Sequence, residues 1–328
     1  MKHLPTHRRA VLKGILGVAG AGLLPSIVGA QQAYPAKPIK LISPWTAGGT
    51  SDVVLRAFAT SAAKHLEGTI YIENKPGAGG IFGAVELANA KPDGYVLSQL
   101  AMSIFSVPHM QKVAFDPLKD ITYIARLCTY TNGLVVRADS PIKSIADLMA
   151  YAKANPGKFS YASSGVGSSP HLLMEELGYR AGGVKFQHIP YKADSESLQS
   201  LMSGTVMGMS GSTSWAPQVA AGNVRILATY GAKRTKRWPN VPTLPELGYN
   251  VPETPFGVGG PKGMDPAVVT RLQEAFRQSL NDPDVIATLE RNDMQPAFLA
   301  SSDYTKSSFE TFESQKVMIS RLGLGVKA

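Results

Sequence analysis

Short apolar runs alternate along most of the chain with segments whose apolar positions recur at helical spacing. Runs at residues 39–43, 69–73, 95–100, 133–137, 159–162, 184–189, 205–209 and 224–229 predict strands. Between and after them, three-to-four-residue periodicity predicts helices from Asp52, at 82–90, from Ser144, at 171–178, 196–203, 266–279 and 303–321. Ser144 is placed to cap its helix, with Asp147 at the third position, and Pro266 opens another helix at its first turn. This alternation predicts an α/β fold with mainly parallel sheets covered by helices.

Two long extended stretches, 121–136 and 224–230, read as crossings between halves of the chain. They predict one lobe made of 31–129 plus 228–328 and a second lobe of 130–227. In open α/β sheets ligands sit beyond the carboxyl ends of strands, so the loops to follow are 43–52, 74–81, 100–105, 162–170, 190–195 and 209–215.

The first of these loops, Ser43-Pro-Trp-Thr-Ala-Gly-Gly-Thr-Ser-Asp52, joins a strand to a helix. A helix start leaves backbone N–H groups free at the positive end of the helix dipole, which accepts anions. Ser163-Ser-Gly-Val-Gly-Ser-Ser-Pro-His171 repeats the arrangement in the second lobe, with Ser168 or Ser169 available as N-cap and Pro170 at the first helical position. One such stretch per lobe makes a paired anion clamp.

The first thirty residues change the setting. Lys2, Arg8, Arg9 and Lys13 precede a glycine-bearing apolar stretch that ends in Val28-Gly29-Ala30. The pattern predicts a twin-arginine-type export signal cleaved after Ala30 and a mature protein in the periplasm. This segment holds four of the 33 Lys and Arg residues and none of the 24 Asp and Glu, so its removal takes the net charge from +9 to +5. The basic cluster 233–237 reads as a solvated loop, since no basic helix accompanies it, which argues against nucleic-acid binding. The lone Cys128 cannot form an internal disulfide.

Catalytic and cofactor patterns fit poorly. The glycines of 75–83 fall at 77, 79, 80 and 83, which misses the dinucleotide spacing, and no acid follows the next strand. Ser210 in Gly-Met-Ser-Gly-Ser lacks the final glycine of a nucleophile elbow. The mature histidines have no metal-ligand spacing. No cofactor, metal or catalytic residue is predicted. The alternative function is a periplasmic serine hydrolase for small esters, using Ser210 or Ser168 with His171.

Several motifs in order carry a resemblance across nearly the whole mature chain: "SPWTAGGTSD", Ile72-Glu-Asn-Lys-Pro-Gly-Ala-Gly-Gly80, "KPDGYVL", "YASSGVGSSPH", "HIPYK" and "VPTLPELGY". The chain resembles the Bug family, the TctC-like substrate-binding proteins of tripartite tricarboxylate transporters. The resemblance implies a two-lobed periplasmic binding protein of type II without catalysis, a monomer that takes a small organic carboxylate to a membrane permease or a sensor protein. Carried over to this chain, the ligand-binding residues are Trp45, Thr46, Ala47, Gly48, Gly49, Thr50 and Ser51 on one lobe. Ser163, Ser164, Gly165, Ser168, Ser169 and Ser210 stand on the other. The chain departs from the family pattern at Thr46 and Ala47, where two prolines are common, and at Ala193, where glycine is usual. Met209-Ser210-Gly211 replaces a common Phe-Asp-Asn, which argues against an amino-acid ligand. Trp215 offers an apolar wall, which makes an aromatic acid as plausible as a di- or tricarboxylate.

Overall fold

A computed structural model describes residues 34–325. The export segment lies outside them. In chain order the first elements are β1 (Ile39–Ser43), α1 (Thr50–Leu66), β2 (Ile70–Asn74), α2 (Phe82–Leu87), β3 (Val96–Leu100), α3 (Ser103–Ser106) and β4 (Ile121–Tyr130). There follow β5 (Gly133–Arg137), α4 (Ile145–Ala154), β6 (Ser160–Ser163), α5 (Ser169–Arg180), β7 (Gln187–Pro190), α6 (Asp194–Met202), β8 (Gly208–Gly211), α7 (Ala216–Ala220) and β9 (Val224–Thr229). The chain ends with β10 (Thr254–Pro261), α8 (Pro266–Ser279), α9 (Pro283–Arg291), β11 (Gln295–Leu299) and α10 (Ser301–Leu322).

The strands form two sheets, ordered β11-β4-β10-β3-β1-β2 and β7-β6-β8-β5-β9. Both are mixed rather than mainly parallel. β1 pairs in parallel with β2 and β3, and β6 with β7 and β8, whereas β4, β5, β9, β10 and β11 pair antiparallel. The strands at and just after the crossings cause this, because a chain that passes straight from one sheet to the other enters it without a helical crossover. Thr131 and Asn132 make the first passage, and residues 230–253 make the return. The two passages touch where Tyr230 N–H donates to the Asn132 carbonyl at 2.9 Å.

Burial explains the elements. β1 is covered on both faces, as an inner parallel strand must be. Val54, Leu55, Phe58, Ala62 and Leu66 recur at helical spacing along α1 and join Ile39, Leu41, Phe256, Leu272 and Phe276 in one core. Leu134, Val136, Leu148, Phe159, Tyr161, Leu173 and Leu227 form the corresponding core of the smaller sheet. Ser144 Oγ accepts from Asp147 N–H at 3.1 Å and caps α4 as predicted. The end of α10 reaches the smaller sheet's helices: Met318 and Ile319 pack on Leu172, and Arg321 pairs with the buried Glu176.

The sequence reading missed the short α3 and α7 as well as β10, α9 and β11. β10 lies between β3 and β4 despite the composition Thr-Pro-Phe-Gly-Val-Gly-Gly-Pro. Its glycines are packing positions. A Cβ on Gly257 would lie 2.4 Å from Tyr304 Oη, and one on Gly259 would lie 2.8 Å from Leu100 Cδ1.

Candidate functional site

A cavity partly open to solvent lies where the loops after β1, β3 and β6 meet those before α6 and after β8. Trp45, Thr46, Gly49, Thr50 and Ser51 line it from the larger sheet, with Gly79, Ala101, Met102 and Ser103. Ser164, Ser168, Ser169, Pro170, Ala193, Asp194, Ser195 and Ser212 line it from the smaller. Tyr130, Asn132 and Thr254 close the side nearest the crossings.

Four helices begin on this cavity, and none has a side-chain cap: α1 at Gly49, the single-turn α3 at Met102, α5 at Ser168 and α6 at Ala193. The capped helices α4, α8 and α9, with Ser144, Asp265 and Asp282, all start away from it. Ser168 has the right residue type for a cap, yet its Oγ donates to the Gly165 carbonyl at 2.7 Å, and Pro170 follows at the second helical position. The first N–H groups of α1 and α5 are thus left toward the cavity, where an anion would complete them. No lysine, arginine or histidine lines it among the described residues.

The loop before α1 is held from behind. Asp52, 1% exposed, accepts from Gly48 N–H at 2.9 Å, Arg56 Nε at 2.9 Å and Asn74 Nδ2 at 2.7 Å. Burial alone would raise its pKa, but these hydrogen bonds from Arg56, Gly48 and Asn74 outweigh it and hold the carboxyl below its ordinary value. Trp45 Nε1 donates to the buried Gln99 Oε1 at 2.9 Å, which fixes the indole against the cavity. Asp52→Ala strips three donors of their acceptor, and it is expected to cost about 2 kcal/mol of stability in urea denaturation. A loss below about 0.5 kcal/mol would show that the loop does not depend on this brace.

The structure sorts the residues predicted from sequence. Trp45, Thr46, Gly49, Thr50, Ser51, Ser164, Ser168 and Ser169 line the cavity. Ala47 and Gly48 belong to the loop but not to the wall, and Gly48, at φ +79°, serves the turn. Gly165 faces Gly79 and a neighbouring groove. Ser163 is fully buried and shares a hydrogen bond with His188 Nε2 at 2.7 Å. Ser210 is fully buried too, with its Oγ 2.8 Å from the Pro170 carbonyl and 3.0 Å from Tyr230 Oη. Trp215 is a core residue with no exposed surface, not a cavity wall.

The hydrolase alternative finds no matching geometry. Ser168 and Ser210 bond to carbonyls, and His171 Nδ1 accepts from Gly167 N–H at 3.2 Å. Lys75, beside the glycine-rich 77–80 turn, pairs with Glu73 at 3.2 Å and with Glu86 instead of facing a phosphate. No group of three or more His, Cys, Asp or Glu is placed to hold a metal among the described residues.

Gly79, Ser103, Asp194 and Ser212 come from loops picked out beforehand, but no sequence signal singled out the residues themselves. Tyr130, Asn132 and Thr254 reach the cavity only because the crossings run beside it, which spacing along the chain does not reveal.

The family model described as "Tripartite tricarboxylate transporter family receptor" matches residues 54–324. A protein of Cupriavidus necator described as "UPF0065 protein in gbd 5'region" is 43% identical over 96% of each chain. The periplasmic binding protein BugD superposes with a TM-score of 0.82 at 27% identity, covering 89% of this chain and 99% of its own. An R. palustris protein solved with adipate superposes with a TM-score of 0.82 at 26% identity, covering 88% and 98%.

Proposed function

The chain belongs to the tripartite tricarboxylate transporter receptor (TctC) family, with the Bug proteins among its relatives, and on that premise we propose how it works. It is a periplasmic solute-binding protein that takes a small organic carboxylate into the cavity between its two sheets. One observation carries this reading: two uncapped helix starts, α1 and α5, meet on a cavity rich in hydroxyl groups and without a basic side chain among the described residues. Backbone N–H donors and hydroxyls suffice for one carboxylate, since each hydrogen bond to a charged group contributes roughly 1.5–3 kcal/mol. The adipate held by the R. palustris neighbour supports the choice of ligand class.

Binding, not turnover, is the activity, and the lobes that close on the ligand are the two sheets with their helices. They hinge at Thr131 and Asn132 and in 230–253. Export through the twin-arginine route, monomeric action and delivery to a membrane permease or sensor complete the proposal.

The test is a thermal-shift screen of the mature protein against mono-, di- and tricarboxylates and aromatic acids, with nucleotides as contrast. A ligand at a hundred times its Kd adds about 2.7 kcal/mol, a Tm rise of roughly 5–10 °C for a chain of this size. A rise with nucleotides alone overturns the reading. A covalent adduct with a fluorophosphonate probe would restore the hydrolase.

A further inference from the structure

Asp194 is the one acid on the cavity wall among the described residues, and a carboxylate clamp has no use for it. One of its oxygens is engaged: Oδ2 accepts from Ser212 N–H at 2.9 Å and from Ser212 Oγ. The other is not. Oδ1 is buried without a hydrogen-bond partner, and across the cavity Ser103 Oγ is buried and unpartnered in the same way. An orphaned buried acceptor costs free energy until something donates to it. Burial pushes the Asp194 carboxyl above its ordinary pKa, although Ser212 and the nearby Ser164 hydroxyl, itself on the cavity wall, pull the other way.

Three kinds of ligand group could meet Oδ1. An apolar group leaves the oxygen unsatisfied. A second ionised carboxylate sets two anions together with no lysine, arginine or histidine on the wall to separate them. A hydroxyl or an ammonium donates to it directly.

We propose that Asp194 selects ligands which carry, besides the carboxylate held by the helix starts, a hydrogen-bond-donating hydroxyl or ammonium group placed against its Oδ1. This rests on the carboxylate reading of the same cavity and narrows it. It also reverses an expectation drawn from sequence. The missing acid after β8 argued against an amino-acid ligand, but α6 brings an acid to the same Ser212 segment from the other side.

The test is isothermal titration at pH 7.5 of unsubstituted four- to six-carbon monocarboxylates, their hydroxy and amino derivatives, and the matching dicarboxylates. At least one donor-bearing acid is expected to bind roughly 10- to 100-fold more tightly than its parent. Asp194→Ala should erase that ratio while the parent acid still binds. Asp194→Asn separates the two donors, because an amide oxygen still accepts from a hydroxyl but no longer neutralises an ammonium. Melting curves of both variants check folding, and the Asn variant keeps an acceptor for Ser212 if the Ala variant is unstable. A dicarboxylate that outbinds every donor-bearing acid, or a preference that survives Asp194→Ala, overturns the proposal and leaves the carboxylate reading standing. Binding of none of the acids, parents included, overturns both.

Discussion

Replacing Gly79 with valine is expected to lower ligand affinity at least a hundredfold while the protein still folds. Gly79 sits in the turn after β2 at φ +67°, a conformation that β-branched residues rarely adopt. Its missing side chain matters more for what lies opposite. A Cβ there would be 2.8 Å from the Val166 carbonyl oxygen, which belongs to the loop of the other sheet. The same seam brings Gly165 within 3.1 Å, measured from its own would-be Cβ to Gly79 Cα, and Ser106 Oγ donates to the Gly167 carbonyl at 2.6 Å. Backbone meets backbone here, so no rotamer change can make room.

Left-handed strain of about 1–2 kcal/mol burdens every state of the variant, but the clash burdens only the state in which the two loops touch. Affinity therefore falls by more than stability does. Gly77→Ala is the control. At φ +122° it carries strain too, but its Cβ would meet Phe82 Cε2 at 3.0 Å, the end of a side chain in the same segment. It should lower Tm by a few degrees and leave the Kd within about threefold. Calorimetry on both variants, with small-angle scattering with and without ligand, separates the cases. Full affinity in Gly79→Val would mean that this seam is not part of the ligand-bound form.

Much of this was legible in the sequence because local signals and global fold agree. The strand-turn-helix at 43–52 and the serine loop at 163–171 could be placed on the cavity from strand order and helix starts alone. The misses share a cause. β10 looked like a loop because its glycines and prolines oppose a strand, yet Tyr304 and Leu100 demand glycine at those positions. Ser210 and Ser163 have the residue type of ligand contacts, but their hydroxyls are taken by Pro170, Tyr230 and His188. Trp215 seemed available as a wall until the fold closed over it. Residue type and spacing say which groups could act, whereas partners brought from elsewhere in the chain decide which remain free.

Those partners also predict how the protein responds to acid. His171 and His188 stack with ring centres 4.0 Å apart beneath the serine loop. Burial lowers both from 6.5, His171 to about 3 with help from its neighbour and His188 to about 4. Both are neutral in the folded protein at pH 5, while in the unfolded chain both take up protons below about 6.5. The stability they contribute is therefore complete above pH 6.5 and is lost as pH falls toward the folded values. At pH 5 each histidine costs about 2 kcal/mol relative to pH 8, about 4 kcal/mol for the pair, a large share of the 5–15 kcal/mol typical of a folded domain. Asp194, Glu175 and Asp293, raised by burial, act with the opposite sign, so the informative quantity is the difference between variants. Urea denaturation at pH 8, 6.5 and 5 should show His171→Asn with His188→Gln losing about 4 kcal/mol less than the wild type. An unchanged pH slope would mean that the two rings do not govern it. In the folded protein the rings take up protons only toward their lowered values, so ligand release through this loop is expected as pH falls toward about 4, below the range in which stability is lost. His171 Nδ1 accepts from Gly167 N–H, so protonating that ring removes an acceptor that braces the loop carrying Ser164, Ser168 and Ser169 on the cavity wall.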